Sequence, residues 1–288
     1  MAMKEPSRRT VLAAVALGLA APQLVRAQAP RPFRFGLTPV FLDNHWNLLE
    51  MLRHEIGRGV GVPVDLVQRR TYKEIVALLL IGEIDAAWLC GYPLLQHADR
   101  LTAVAAPVWR GSSDYQSYLI APAGREVAGL AGLQGDIHAY SDPDSNSGFL
   151  VTVSEIVKLG ARPEAFFASS FFTFGHRNVV RAVAQRLAMS GSVDGYVWEA
   201  LAEIEPALTA ATQVVWKSEW FGFPPVVVQS EAANTPLIEA FAQTLFSMEE
   251  HLVGREVLRL LRLDGFGPVA PGSFDAIAAR MRLLADRA

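Results

Sequence analysis

Residues 71–89 read TYKEIVALLLIGEIDAAWL, and the fold turns on this stretch. Thr71 with Glu74 three residues on forms a capping box ahead of the apolar run Ile75 to Ile81, so a helix starts at Thr71. Gly82 follows, and Ile84 to Leu89 then predicts a short buried strand. Working back, Val62 to Val67 predicts another strand. Asn44 to Ile56 has helical spacing, with Trp46, Leu49, Met51 and Leu52 on a broad apolar side and Gly57-Arg58-Gly59 as its stop. Phe33 to Leu37 alternates apolar and polar residues as a first strand would. Strand–helix–strand–helix–strand is the order of a doubly wound α/β sheet.

The middle of the chain repeats the scheme. Ile137 to Tyr140 predicts a strand, a polar loop leads into a helix over Ser147 to Leu159, and Gly160 closes that helix as its C′ residue. Phe171 to Phe174, Asn178 to Met189 and Val193 to Val197 predict strand, helix and strand. Gly82-Glu83-Ile84-Asp85-Ala86 is echoed by Gly191-Ser192-Val193-Asp194-Gly195, as two lobes of similar construction would require. Val226 to Val228 returns as a strand to the first lobe. Helices follow over Thr235 to Met248 and Glu249 to Leu261, with a last one capped by Ser273. The expected organisation is a first lobe of residues 33–118 with 222–288, and a second of 119–218. Crossings at 116–121 and 216–224 form a hinge. Ligands of open α/β sheets sit beyond the carboxyl ends of the strands, so the cleft between the lobes is the expected site.

The amino-terminal residues 1–27 carry an address. Lys4, Arg8 and Arg9 precede the apolar run Val11 to Ala21, which is shorter than the ~20 residues that span a bilayer, and Val25-Arg26-Ala27 suits a signal peptidase. Ser7-Arg8-Arg9-Thr10-Val11-Leu12 resembles the twin-arginine consensus without its Phe, and general secretion is the alternative. Either route leads to the periplasm. About 260 residues remain after cleavage, enough for two ordinary domains. A hydrophobic fraction of 51% fits a well-buried protein, and a net charge of -3 without a basic block excludes a nucleic-acid binder. No second long apolar run follows the signal. The single cysteine, Cys90, cannot form an internal disulfide, and no cysteine near the cleavage site could carry a lipid.

Catalytic and cofactor fingerprints are missing: no Gly-x-x-x-x-Gly-Lys, no Gly-x-Ser-x-Gly and no His-Glu-x-x-His. The six histidines are scattered, with none at ligand-pair spacing, so no metal, no cofactor and no catalytic residue is expected. A binder remains. Its best candidate is Ser141-Asp142-Pro143-Asp144-Ser145-Asn146-Ser147-Gly148, which follows a strand and opens a helix. Backbone N–H groups and the positive helix end converge there, Ser145 and Ser147 add hydroxyls, and Gly148 admits a ligand close to the backbone.

Several of these pieces resemble the periplasmic phosphate-, phosphite- and phosphonate-binding proteins: Thr71-Tyr72, Asp85 to Leu89, Tyr115 before Ser117, Ser141 to Phe149, Gly175-His176, Ser192-Val193-Asp194 and Trp216-Lys217-Ser218. They stand in the family's order from Phe33 to about Gln229. The resemblance implies a type II periplasmic fold, and an ABC importer whose permease is the partner of a monomeric binding protein. It implies that Ser145 and Ser147 bind ligand oxygens and that Asn146 stands where the family often has Thr. Tyr72 and Tyr115 would donate from the first lobe and His176 from the second, while Asp194 would orient its neighbours. Two departures stand out. Gly222-Phe223-Pro224 lacks the acidic residue that pairs with a ligand amine in aminophosphonate binders. Cys90 closes a strand at the cleft, where the thiol is either a small buried group or a ligand contact. In the second case it could hold arsenite, and the chain would report to a membrane histidine kinase rather than load an importer.

Overall fold

The computed structural model describes residues 31–38 and 46–287, so the export signal expected at 1–27 lies outside the described residues. The chain opens with β1 (Phe33–Leu37), α1 (Trp46–Val60), β2 (Val64–Gln68), α2 (Tyr72–Leu80), β3 (Ala86–Trp88), α3 (Gly91–Gln96) and β4 (Leu101–Val108). The capping box at the head of α2 is complete: the Thr71 side chain accepts from the Glu74 N–H, and the Glu74 carboxylate accepts from the Thr71 N–H. Gly57-Arg58-Gly59 does not stop α1, contrary to the sequence reading. A Cβ at Gly59 would lie 1.8 Å from Thr244 Oγ1, so this glycine serves close helix packing. The stop comes at Gly61, whose φ is +72°.

The chain continues through β5 (Asp114–Tyr115), β6 (Ser117–Pro122), β7 (Ile137–Tyr140) and a π-helical turn (Asn146–Leu150) that runs into α4 (Val151–Lys158). Next come α5 (Pro163–Phe166), β8 (Ser169–Phe172), α6 (His176–Ala184), β9 (Ser190–Asp194), α7 (Gly195–Ile204), α8 (Pro206–Ala210) and β10 (Thr212–Lys217). The expected strand Val193 to Val197 ends early. Asp194 caps a helix by accepting from the Val197 N–H at 3.3 Å, which turns Gly195-Tyr196-Val197 into its first turn. The chain closes with β11 (Phe221–Gly222), β12 (Val226–Gln229), α9 (Pro236–Phe246), α10 (Leu252–Leu261), β13 (Gly265–Gly267) and α11 (Asp275–Ala285). Phe274, not Ser273, stands at the cap of α11; the Ser273 hydroxyl donates to the Ala270 carbonyl at 2.7 Å.

Two sheets organise these elements. The first has the order β13-β4-β12-β3-β1-β2 and the second β10-β6-β9-β7-β8. In each, three parallel strands (β2-β1-β3 and β8-β7-β9) are followed by one antiparallel strand, β12 or β6, that enters directly after a crossing between sheets. The lobes are thus alike in topology, but the residue echo lies elsewhere than expected. Asp85 precedes β3, whereas Asp194 ends β9. The positions that correspond are Leu89-Cys90-Gly91-Tyr92 and Val193-Asp194-Gly195-Tyr196, each running from a third strand into a helix with Cys90 or Asp194 at the cap.

Between the sheets, β5 pairs with β11 and ties the two crossings together. An aromatic seam runs along them: Tyr115 and Tyr196 lie 5.6 and 5.1 Å from Phe223, and Tyr196 lies 5.7 Å from Trp109. Helix α11 packs on α3 and on α4, so it touches both lobes. Its Arg280, 2% exposed, reaches Glu155 at 2.7 Å and Glu219 at 2.6 Å.

Candidate functional site

The carboxyl ends of β1, β3, β7 and β9 face one another across the lobes, and every residue singled out from the sequence lies there. Tyr72 is the first residue of α2 and His176 the first of α6, corresponding positions in the two lobes. Their Oη and Nε2 stand 3.5 Å apart. Cys90 and Asp194 form the second corresponding pair. Tyr115 reaches in from β5, and Ser145-Asn146-Ser147-Gly148 opens the π-helical turn. All of these side chains are buried.

Local chemistry explains the loop. The Ser145 hydroxyl accepts from the Gly148 N–H at 3.0 Å, and the Ser141 N–H donates back to the Gly148 carbonyl at 3.2 Å. The Ser117 hydroxyl donates to the Ser147 carbonyl at 2.7 Å, fixing the loop to β6. Asp142 accepts from the Asp144 N–H at 2.9 Å and, across the lobes, from the Tyr72 N–H at 3.3 Å.

A second link across the lobes centres on Asn146. Its backbone N–H donates to Cys90 Sγ at 3.2 Å, and its Nδ2 donates to Tyr115 Oη at 3.0 Å. Cys90 and Ser147 are further polar neighbours of the Tyr115 phenol. The Asp194 N–H donates to His176 Nδ1 at 3.1 Å. That bond leaves the neutral ring its proton on Nε2, the atom that faces Tyr72.

Burial sets the protonation states. It pushes the His176 imidazole down to about 3, the Cys90 thiol up to about 11 and the Asp194 carboxyl up to about 7. It also holds both phenols well above their ordinary value. At neutral pH the site therefore presents an uncharged imidazole, a thiol and two phenols. Behind it His138 is likewise buried and pushed down to about 3; both ring nitrogens lie 2.8 Å from a serine hydroxyl, Ser190 and Ser192.

These histidines carry a pH consequence. Their folded pKa values lie below the unfolded value of about 6.5, so as pH falls below it the unfolded chain binds protons that the folded one refuses. Asp194 and Asp142, both raised by burial, work the other way, but they stand against the two imidazoles and against Glu219, which Arg280 holds below its ordinary value. Stability should fall steadily below about pH 6.5, read as a falling urea midpoint, and a midpoint flat down to pH 4 would contradict neutral buried imidazoles.

Residues outside the sequence reading also belong here. Thr38 directly follows β1 as Ser141 directly follows β7. Its hydroxyl lies between the Trp88 carbonyl, at 3.1 Å, and the Tyr72 phenol. Ser141 stood within the recognised loop without a role of its own, yet its Oγ is buried with no hydrogen-bond partner. The position after each first strand was the available signal. Phe223, where an amine-pairing carboxylate would stand, is buried against Tyr115 and Tyr196. Among the described residues no group of three metal-ligating side chains occurs.

The architecture is shared with solved periplasmic binding proteins. A binding protein component of an ABC phosphonate transporter from Pseudomonas aeruginosa superposes with a TM-score of 0.78 at 20% identity, covering 90% of this chain and 89% of that one. PhnD1 from Prochlorococcus marinus, solved with methylphosphonate, gives 0.76 at 15% identity over 89% and 99%. The alkanesulfonate-binding protein SsuA from Xanthomonas axonopodis pv. citri, solved with MOPS, gives 0.61 at 14% identity over 90% and 94%. At these identities the likeness is one of fold, that of the type II periplasmic binding proteins. A family model described as "ABC transporter, phosphonate, periplasmic substrate-binding protein" matches residues 35–273, a span that contains the whole site. The chain belongs to the family of periplasmic substrate-binding proteins of ABC phosphonate transporters.

Proposed function

We propose that this chain, exported by the signal in residues 1–27, closes its lobes as a monomer around a small oxyanion of the phosphonate or phosphite class and hands it to an ABC permease. What supports the reading is the approach of Tyr72 and His176, one from each lobe, to 3.5 Å in a buried site to which the Ser145–Gly148 loop is tied through Asn146. Tyr72 comes from the first, Ser145 and the His176 Nε2–H from the second. Buried neutral donors suit a tetrahedral anion that must later be released, because they bind by geometry without a full counter-charge. The segments 116–121 and 216–224 act as the hinge, and a ligand that bridges both lobes draws the population closed. Phe223 in place of a carboxylate favours a compact or apolar phosphorus substituent over an amino-alkyl one.

Cys90 is the point of contact with a second reading, in which a thiolate holds arsenite for a sensor kinase. Its sulfur accepts from the Asn146 N–H, and burial keeps it protonated. A protonated, buried thiol is a poor soft-metal ligand, which favours the importer reading. Thermal unfolding of the mature protein with phosphite, methylphosphonate, phosphate, sulfate, arsenate and arsenite tests both. Methylphosphonate or phosphite at a hundredfold excess over Kd should add about 2.7 kcal/mol of stability, equally in Cys90→Ser. A shift with arsenite alone, lost in Cys90→Ser, would replace the importer by the sensor.

A further inference from the structure

Within the site one buried acceptor has nothing to accept from. Asn146 is fully buried, and its Oδ1 has no hydrogen-bond partner. The orientation of this amide follows from its neighbours. Its Nδ2 donates to the Tyr115 oxygen at 3.0 Å, which leaves Oδ1 on the opposite side of the amide. With one Nδ2 hydrogen on Tyr115 and the backbone N–H on Cys90, the carbonyl oxygen is the atom of this side chain left without any partner. Ser141 Oγ is also without a partner, but a hydroxyl both donates and accepts and so constrains nothing.

A buried carbonyl oxygen facing a fully ionised oxyanion sets lone pair against lone pair. The same atom facing an O–H gains a hydrogen bond. We infer that the pocket takes its anion with a proton on it, the ligand's P–OH donating to Asn146 Oδ1 while its ionised oxygens receive the donors of Tyr72, Ser145 and His176. This rests on the oxyanion reading of the site and narrows it to singly protonated phosphonates, phosphite or phosphate. It excludes sulfonates and sulfate, which have the same shape but no proton to give. Sites built to hydrogen-bond a ligand hydroxyl reject analogues lacking it far more strongly than apolar pockets reject a missing methylene, because the buried polar group is left unpaired.

Methylphosphonate and methanesulfonate are a matched pair for the test. At slightly acidic pH both are monoanions of one shape, and only the first keeps an O–H. Calorimetric titration of the mature protein should give methanesulfonate at least about 100-fold weaker binding than methylphosphonate. In Asn146→Leu the two affinities should draw together, mainly by weakening of methylphosphonate. Equal affinities in the wild-type protein would overturn the inference whatever the variant does, while leaving the oxyanion reading intact. Binding of 2-aminoethylphosphonate without methylphosphonate would assign the donor to an ammonium and overturn it as well. Failure of every phosphonate, phosphite and phosphate would instead sink the reading of the site on which it rests.

Discussion

Replacing Gly148 by alanine should abolish useful anion binding and lower stability together. A Cβ at this position would stand 1.7 Å from Ser141 Oγ, 2.6 Å from Ser141 Cβ and 3.0 Å from Ser145 Oγ. Rotating the Ser141 hydroxyl away relieves only the first of these. The loop is also held on both sides, by Gly148 N–H to Ser145 and by Ser141 N–H to the Gly148 carbonyl, so it cannot swing clear without breaking its own cap. Overpacking of this kind costs about 1–3 kcal/mol, a midpoint lower by roughly 3–10 °C. Binding suffers more, because displacing the Ser145-Asn146-Ser147 group by about 1 Å can cost on the order of 100-fold. The pair Ser141→Gly with Gly148→Ala removes the two collisions with Ser141, leaving only the 3.0 Å contact with Ser145 Oγ, and should recover most of the midpoint. Wild-type affinity in Gly148→Ala would show that the loop does not need this close approach.

His176→Ala is the second substitution with a large expected effect. The ring accepts the Asp194 N–H on Nδ1 and presents Nε2–H to the cleft, so its loss removes a donor and orphans a buried backbone N–H. A hydrogen bond to a charged group is worth about 1.5–3 kcal/mol. Affinity for methylphosphonate should therefore fall roughly 10- to 150-fold, as read by titration. His176→Asn keeps an amide of similar reach and should recover part of the loss. If His176→Ala binds like wild type, the imidazole is only a spacer between Tyr72 and Asp194.

How much of this could be read without coordinates depends on the range of the interaction. The capping box at Thr71 and Glu74 and the turn at Gly160 rest on contacts a few residues apart, and each stands as expected. The loop from Ser141 to Gly148 was recognisable for the same reason: its caps and its small residue are local. Gly59 misled because helical glycine reads as a stop, whereas here its missing side chain makes room for Thr244 from a distant helix. The helix start at Asp194 was missed because the capping bond competes with strand continuation, and the pairing of β9 with β6 ends at Asp194.

Composition, periodicity and short motifs by themselves determined the two α/β lobes, the absence of catalytic fingerprints and the capped loop from Ser141 to Gly148, since all are written in residues close together along the chain. Only the tertiary structure decided which residues correspond between lobes, with Cys90 matched to Asp194 and Tyr72 to His176. It also decided the tautomer of His176, the buried thiol of Cys90 and the unpaired oxygen of Asn146. Each of these depends on a partner between 18 and 104 residues away. Hydrogen-bond direction and burial belong to neighbours in space, and linear order does not encode them.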